Sequence, residues 1–407
     1  MQIIEKIIEN NQKLNLFDSE IQKLCLQKFK ENPMPNNKSE LWRLTSKSKF
    51  ARFLNYDFSE KFFDPLIPND LDGDSTLRII IGEERKIHLK HPNWEIKELI
   101  EEDIIKLIKN KLIDCDSTQN WSDLLNHCLS NQNNILGLNI SGIDIPNLEI
   151  FSNSKKSFFN AKTLILNIEN ETKVDLLQVN LGDNDSSLSL ASYFFLGDKS
   201  IVNHGIISYG ESKSHIINSL NVMQKENSEY NLGSIQFKFD FARLEININQ
   251  IQGNAKTNIK GMQITKNNEQ ISTYAKIVFD GPNGFLDQLN KSLAQDKSHA
   301  IFEGLIIVPQ IAQKTDASQL SRNILLSNYA KIDTKPQLEI VADDVKCKHG
   351  ATISQLNENE LFYMRSRGLT LEEASKLQLK SYYQEIISFL PISEERWDLL
   401  NLLLKNH

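Results

Sequence analysis

Cysteine is scarce in this chain: Cys25, Cys115, Cys128 and Cys347 are the four among 407 residues, with no C-x-x-C pair and no regular spacing. That usage excludes a disulfide-stapled secreted scaffold and fits a reducing compartment in which thiols stay free. Long apolar runs are missing too, and none approaches the roughly 18 residues that crossing a bilayer requires. The opening MQIIEKIIENNQKLNLF interrupts its apolar positions with Glu5, Lys6 and Glu9, so it lacks the unbroken stretch of a secretory signal. These absences predict a cytoplasmic protein with no membrane association. Positive charge is not in surplus either, since 46 basic against 53 acidic side chains leave a net charge of −7. Bulk electrostatics therefore give a nucleic-acid partner no support. The basic run Arg43, Lys47, Lys49 and Arg52, interleaved with Trp42 and Phe50, reads as a solvated helix face.

The strong catalytic signatures are absent as well. There is no G-x-x-x-x-G-K-[ST] loop for nucleotide phosphates, no G-x-G-x-x-G, no H-E-x-x-H and no G-x-S-x-G. Any ATP-driven role needs another chain to hydrolyse the nucleotide. Iron-sulfur clusters usually want four thiolate-type ligands, and the strand-rich region with its C-terminal extension offers only Cys347, so this chain could at most contribute part of a shared site.

What is present divides the chain into three parts. Residues 1–134 read as a helical domain: Ile3, Ile4, Ile7 and Ile8 recur at helical spacing, Ile21, Leu24, Cys25 and Lys28 continue it, and Trp94 to Leu112 carries Ile96, Leu99, Ile100, Ile104, Ile105 and Ile108. Breaker-rich stretches with Pro33, Pro35, Pro65 and Pro68 separate these runs. Residues 135–350 change to short strand-like runs punctuated by glycine at 182, 197, 210, 233, 253 and 261. In IQFKFDFARLEININQIQG, residues 235–253, Phe237, Phe239 and Phe241 alternate with Lys238 and Asp240 as along one strand. Some 200 residues of this kind leave a sandwich, a barrel or a β-solenoid. Abundant Asn suits the turns of a parallel β-helix, where each coil can hydrogen-bond the next. A low-GC genome would enrich Asn equally, so the pattern leans to a solenoid without deciding. Residues 351–407 return to helix. Asn357 with Glu360 and Thr370 with Glu373 have capping-box spacing, Gly368 ends the first helix, and Leu379, Tyr382, Tyr383, Ile386 and Leu390 form an apolar stripe on the second before Pro391.

The densest chemistry is Asp343, Asp344, Lys346, Cys347, Lys348 and His349, just after LEIVA. Cys347 and His349 are two apart, so on a strand they face the same way, as two ligands of one metal must. Spacing alone is a weak signal, because a buried thiol beside a surface imidazole gives the same pattern. The pair Asp343 and Asp344 raises acid-base cleavage of a glycosidic bond on a β-helix. Adjacent carboxylates on a strand face opposite ways, however, and a solvated turn explains them as well.

The stretch IFEGLIIVPQIAQKTDASQLSRNILLSNYAKIDTKPQLEIVADDVKCKHGATISQLNENELFYMRSRGLTLEEA, residues 301–374, closely resembles the SufD family of the SUF iron-sulfur cluster assembly machinery. AQKTDA (312–317), ADDVKCKHGAT (342–352) and LFYMRSRG (361–368) carry the likeness, and LWRLTSKSKF (41–50) is similar to an N-terminal element of the same family. The resemblance implies a mainly β fold, a right-handed parallel β-helix flanked by N-terminal and C-terminal helical domains. It implies a non-enzymatic scaffold that pairs with SufB through the β-helix and docks the ATPase SufC through its C-terminal helices, with ATP bound by SufC. By the same resemblance His349 is the histidine at the SufB interface that handles iron or the nascent cluster. Cys347 accompanies it, and the helix with Leu371, Leu379, Tyr382, Tyr383, Ile386 and Leu390 is the SufC-docking element. A reduced flavin is an electron source proposed for some complexes of this family, and the sequence leaves its binding here open. Two departures stand out. Lys348 replaces a usually small residue, and of the several histidines that relatives carry in the segment matching 270–300 only His299 survives. Without SufB, an exposed β-helix edge is expected to pair with a second copy of the chain.

Overall fold

The computed structural model describes residues 35, 39–58, 76–83, 87–113, 121–129, 134–392 and 396–405. The N-terminal Ile repeat, Cys25, Cys115 and the proline-rich stretch near Asp64 lie outside them. From residue 135 the chain winds as a parallel β-solenoid of about eight turns. Each coil gives one strand to each of two parallel sheets. The first sheet runs from Ile135–Gly142 through Ser187–Leu196 and Phe241–Gln250 to Lys331–Ile340, and the second from Leu148–Ser154 through Ile201–Gly210 to Lys346–Ser354. Strands stack nearly in vertical register: Val202 pairs with Val174 below and Tyr230 above.

Alternation sorts the side chains. One parity of each strand faces the space between the sheets, where Leu166, Phe194, Val222, Ile248, Ile277 and Ile306 form a continuous apolar column. Part of this interior is polar and hydrogen-bonds from coil to coil, as in Asn180 donating to Ser208 (3.1 Å), Gln263 to Ser292 (3.0 Å) and Gln319 to Gln288 (2.9 Å). The other parity faces outward and is covered by helices. Helices Lys47–Phe53, Glu101–Ile113 and Trp121–Leu129 bury Phe50, Phe53, Ile104, Trp121 and Leu125 against Phe159, Tyr193, Ile217 and Phe241 of the first sheet. Helices Leu371–Ile387 and Leu399–Leu404 bury Leu379, Tyr383, Ile386 and Leu403 against Leu177, Ile207, Ile235 and Met262 of the second. The order is therefore helix, sheet, sheet, helix.

The turns between strands carry non-glycine residues in the left-handed region, among them Asp185, Lys199, Lys213, Asn227, Asn254, Asn267, Asn283 and Asp296. Asn and Asp tolerate that conformation because their short polar side chains bond locally. Asparagines bond one coil to the next both in the turns, where Asn170 accepts from the Asp198 backbone N–H (2.9 Å), and in a ladder along the strands, where Asn203 donates to Asp175 (2.6 Å), Asn231 to Asn203 (2.9 Å) and Asn258 to Asn231 (2.7 Å).

Two periodicity readings are corrected. Trp94 to Leu112 is not one helix: Trp94–Glu98 is a strand, antiparallel to Ile135–Gly142 with Ile96 opposite Ile140, and the helix begins at Glu101. Ile96 is buried in the ladder, whereas Ile100, which a single helix would place with it, is exposed. The alternating phenylalanines are not on one face either. The chain turns at 238–240, so Phe237 packs outward under the C-terminal helices, Phe239 inside the coil, and Phe241 outward under the N-terminal helices. Gly182 and Gly210 make room for Phe239, whose ring would lie 2.5 and 2.6 Å from a Cβ at either position. Among the described residues, no helix is long and apolar enough to cross a membrane.

Candidate functional site

The solenoid ends openly. Lys331–Ile340 and Lys346–Ser354 are the last strands of their sheets, and among the described residues each has one unpaired edge. Such an edge presents a row of unbonded backbone groups that favours pairing with another chain. Apolar residues crowd the same end without cover: Tyr329, Ile340, Val341 and Ile353 are all exposed.

The C-x-H pair lies on this last strand. Cys347 is in register with Ala317, and His349 with Gln319. Ala317 belongs to the interior apolar cluster and Gln319 is buried, so the shared parity directs Cys347 and His349 to the mouth of the interior. Cys347 packs partly against that cluster, and burial pushes its thiol pKa up against the opposing effect of a backbone hydrogen bond with Ala317. The thiol is therefore protonated in the free chain, and a metal would have to displace the proton. His349 is exposed, one residue beyond Lys348, whose alternate parity sends its charge to the opposite face. Among the described residues no group of three or more His, Cys, Asp or Glu side chains is placed to hold a metal ion. This strand thus offers two donors of different kinds, and a complete coordination sphere needs others.

The remaining candidates separate from this pair. Asp343 and Asp344 sit in the turn before the strand: Asp343 accepts from the Gln310 amide (3.0 Å), and the Asp344 backbone N–H donates to Gln313 (3.0 Å). They bind the turn to the coil below and face solvent, so no converging pair for glycosidic cleavage forms. His299 lies on the outward face of the first sheet. Its Nε2 is 2.6 Å from Asp333 and its Nδ1 is 3.0 Å from the Gln270 amide nitrogen, while Gln270 Oε1 accepts from the Ser46 backbone N–H (2.8 Å). That contact fixes the amide, so Nδ1 accepts and Nε2 donates to Asp333. Burial, opposed by Asp333, lowers the imidazole's pKa in keeping with this neutral tautomer.

The C-terminal helices form as their caps predict. Asn357 accepts from the backbone N–H groups of Asn359 and Glu360, and Thr370 with Glu373 closes a full capping box. The expected docking stripe, however, is occupied by the chain itself. Leu379, Tyr383, Ile386 and Leu390 are buried against the second sheet, and the Tyr382 hydroxyl donates to the Arg322 carbonyl. Amphipathicity cannot tell a face covered by its own sheet from one left for a partner. Of the predicted set only Leu371 is open, at 54% exposure; the same hairpin of helices Glu358–Ser366 and Leu371–Ile387 also exposes Phe362 (73%), Tyr363 (59%) and Leu377 (49%), of which Tyr363 and Leu377 line one groove. Sequence reading missed Phe362 and Tyr363, and their signal was an apolar pair on a capped helix with no buried residue.

The described chain is thus a parallel β-helix with an open coil end, Cys347 and His349 on the strand at that end, and an exposed apolar helical hairpin. Residues 150–382 match the model of the SUF system FeS cluster assembly SufBD core domain, so the chain belongs to that family. It is 35% identical over 205 residues to an iron-sulfur cluster assembly SufBD family protein of Synechocystis, covering 50% of this chain and 45% of the relative. To the iron-sulfur cluster assembly protein SufD of Escherichia coli it is 45% identical over 103 residues, 25% of this chain and 24% of the relative. To the protein of that name in Plasmodium berghei it is 27% identical over 351 residues, 82% of this chain and 26% of the relative. The likeness is thus of the SufD type, and the chain spans less than half the length of each of these relatives.

Proposed function

We propose that this chain is a non-catalytic cytoplasmic scaffold subunit of a SUF assembly complex, pairing with SufB at its open coil end and docking the ATPase SufC on its C-terminal helices. The observation that carries this reading is the coincidence, on one strand, of an unpaired edge with Cys347 and His349. An exposed imidazole and a thiol that must lose its proton make a half-site suited to iron or a nascent cluster, with SufB supplying the rest. Iron and the cluster are cargo passing through that shared site. SufC would hold ATP, in keeping with a sequence that has no phosphate-binding loop. Docking would use Phe362, Tyr363, Leu371 and Leu377 in place of the buried stripe.

The test is co-expression with SufB and SufC, comparing wild type with His349→Ala for complex recovery and for cluster absorbance of the recovered complex. The reading expects normal recovery with most of the cluster lost. Equal cluster loading by the variant would reduce the D-D-V-K-C-x-H-G block to a structural role.

A further inference from the structure

The interior column that leads to His349 changes character as it nears the open end. Leu232, Ile259, Gln288, Gln319 and His349 stand in register on five successive strands of the second sheet. The first two are buried aliphatics, the next two are amides exposed by 2% and 1%, and the last is the imidazole at the mouth. A buried amide needs partners for both its nitrogen and its oxygen. Gln319 has one for the nitrogen: Nε2 donates to Gln288 Oε1 (2.9 Å) on the coil below. Its Oε1 is closed off from solvent and accepts no hydrogen bond.

The nitrogen and oxygen of an amide point away from each other across its carbon, so an N–H directed to the coil below sends the oxygen toward the coil above. The seat for this amide is cut to size. A Cβ at Gly304, on the facing strand of the same coil, would lie 2.1 Å from Gln319 Nε2 and 2.9 Å from Oε1, so glycine is what leaves room for the group. Amide bonds between coils elsewhere in the solenoid run the same way, the later coil donating to the earlier, as from Asn167 to Asn139 (2.6 Å) and from Asn231 to Asn203 (2.9 Å). The rung that continues Gln288 and Gln319 in that direction is His349, whose ring carries an N–H and whose backbone lies one strand spacing, about 4.8 Å, above.

We propose that Gln319 is the positioning residue of His349. The imidazole turns down onto the amide ladder, donates one ring N–H to Gln319 Oε1, and so holds its other nitrogen, lone pair outward, at the mouth for a metal. The bond gives the buried oxygen the donor it lacks, which offsets a cost of about 1–3 kcal/mol for an unsatisfied buried acceptor. A partner of this kind fixes the tautomer and orientation of a ligating histidine, and its loss typically costs about 10- to 100-fold in metal affinity. The metal role rests on the scaffold reading of His349; the ladder bond itself does not.

The experiment is nitrogen NMR of the full chain carrying isotope-labelled histidine, in mildly alkaline buffer and with His349 assigned from His349→Ala. Wild type is compared with Gln319→Met, which fills the same space without an acceptor, and with Gln319→Glu, whose neutral acid can accept from His349 and donate to Gln288. Wild type is expected to show one tautomer of His349, its two ring nitrogens fully separated in shift. Gln319→Met should bring them toward the average of a freely exchanging ring, and Gln319→Glu should keep them apart. Gly304→Ala, which displaces the amide without altering it, should act like Gln319→Met. A packing role would be met by methionine as well, so equal shifts in wild type and Gln319→Met, or an exchange-averaged ring in wild type, overturn the proposal. In the complex recovered with SufB and SufC, Gln319→Met should lower cluster content about tenfold. Full loading by Gln319→Met where His349→Ala has lost its cluster overturns the positioning role and leaves the scaffold reading standing. A fixed tautomer with full loading by His349→Ala does the reverse, keeping the ladder bond and removing the shared metal site.

Discussion

Arg243 is the residue on which attachment of the N-terminal helices turns, and its replacement by methionine is the perturbation with the clearest expected size. Its side chain is 1% exposed and lies between two aromatic rings, with the guanidinium carbon 3.9 Å from the Trp42 centroid and 3.6 Å from that of Tyr274. It donates to Glu245, to the Leu41 carbonyl (3.1 Å) and toward Thr45 Oγ1 (3.5 Å). Methionine retains most of the apolar stem but strands Glu245, itself buried, which still accepts from the Ser122 hydroxyl (2.8 Å). Removing one member of a buried ion pair typically costs about 3–5 kcal/mol, mainly because the other charge is stranded. Each desolvated cation–π contact is worth about 2 kcal/mol, and these sums are not additive. The estimate is therefore about 3–5 kcal/mol, spent on local opening of the segment Trp42–Phe53 and not on the solenoid, because coils contact mainly their neighbours. Amide hydrogen exchange reads this directly. Protection at Phe50 and Phe53 should fall by about two to three and a half orders of magnitude. Protection in Lys173–Gly182 and Ile201–Gly210 should hold. Unchanged exchange at Phe50 would refute the reasoning and assign the attachment to the Trp42, Phe50 and Trp121 ring cluster.

Two further outcomes are expected. His127 and His204 are buried and bonded to Tyr193 and Tyr230 (both 2.7 Å), and desolvation draws their pKa values down to about 4 and about 3. Each folded pKa lies below the unfolded value of about 6.5, so the unfolded state takes up protons first and stability is lost as pH falls from about 6.5 toward 4, at up to about 1.4 kcal/mol per pH unit for each histidine. Urea midpoints across that range should show a shallower decline in His204→Phe than in wild type, and parallel curves would contradict the assignment. Isolated chain should pair through its open end into a homodimer of twice 46.7 kDa, measured by light scattering at micromolar concentration; a monomeric mass would count against pairing at that edge.

Much of the fold was legible because one physical signal dominated it. Short runs of alternating residues separated by turn residues persist from 135 onward, and the capping pairs Asn357 with Glu360 and Thr370 with Glu373 marked two helix starts. What was not legible depended on what lies across from a residue. Ile96 fits a helical stripe as well as a ladder position, and only its pairing opposite Ile140 decides. Phe237, Phe239 and Phe241 keep one parity through a three-residue turn, so alternation alone could not reveal the change of sheet. Tyr383 and Ile386 look like a docking stripe until the second sheet is placed beneath them. At the candidate site, sequence put Cys347 and His349 on one face, but their position on the terminal strand follows from the number of coils before them.

The central claim is that this chain presents two separate partner surfaces, the open coil end and the apolar hairpin. It is tested most directly by tandem capture from cells co-expressing SufB and SufC, using Ile340→Lys/Ile353→Lys at the exposed end and Phe362→Asp/Leu371→Asp on the hairpin. Because all four side chains are exposed, stability should change little. The account predicts that the first variant loses SufB and keeps SufC, and that the second keeps SufB and loses SufC. Retention of SufB by the first variant, or loss of both partners by either one, would contradict it.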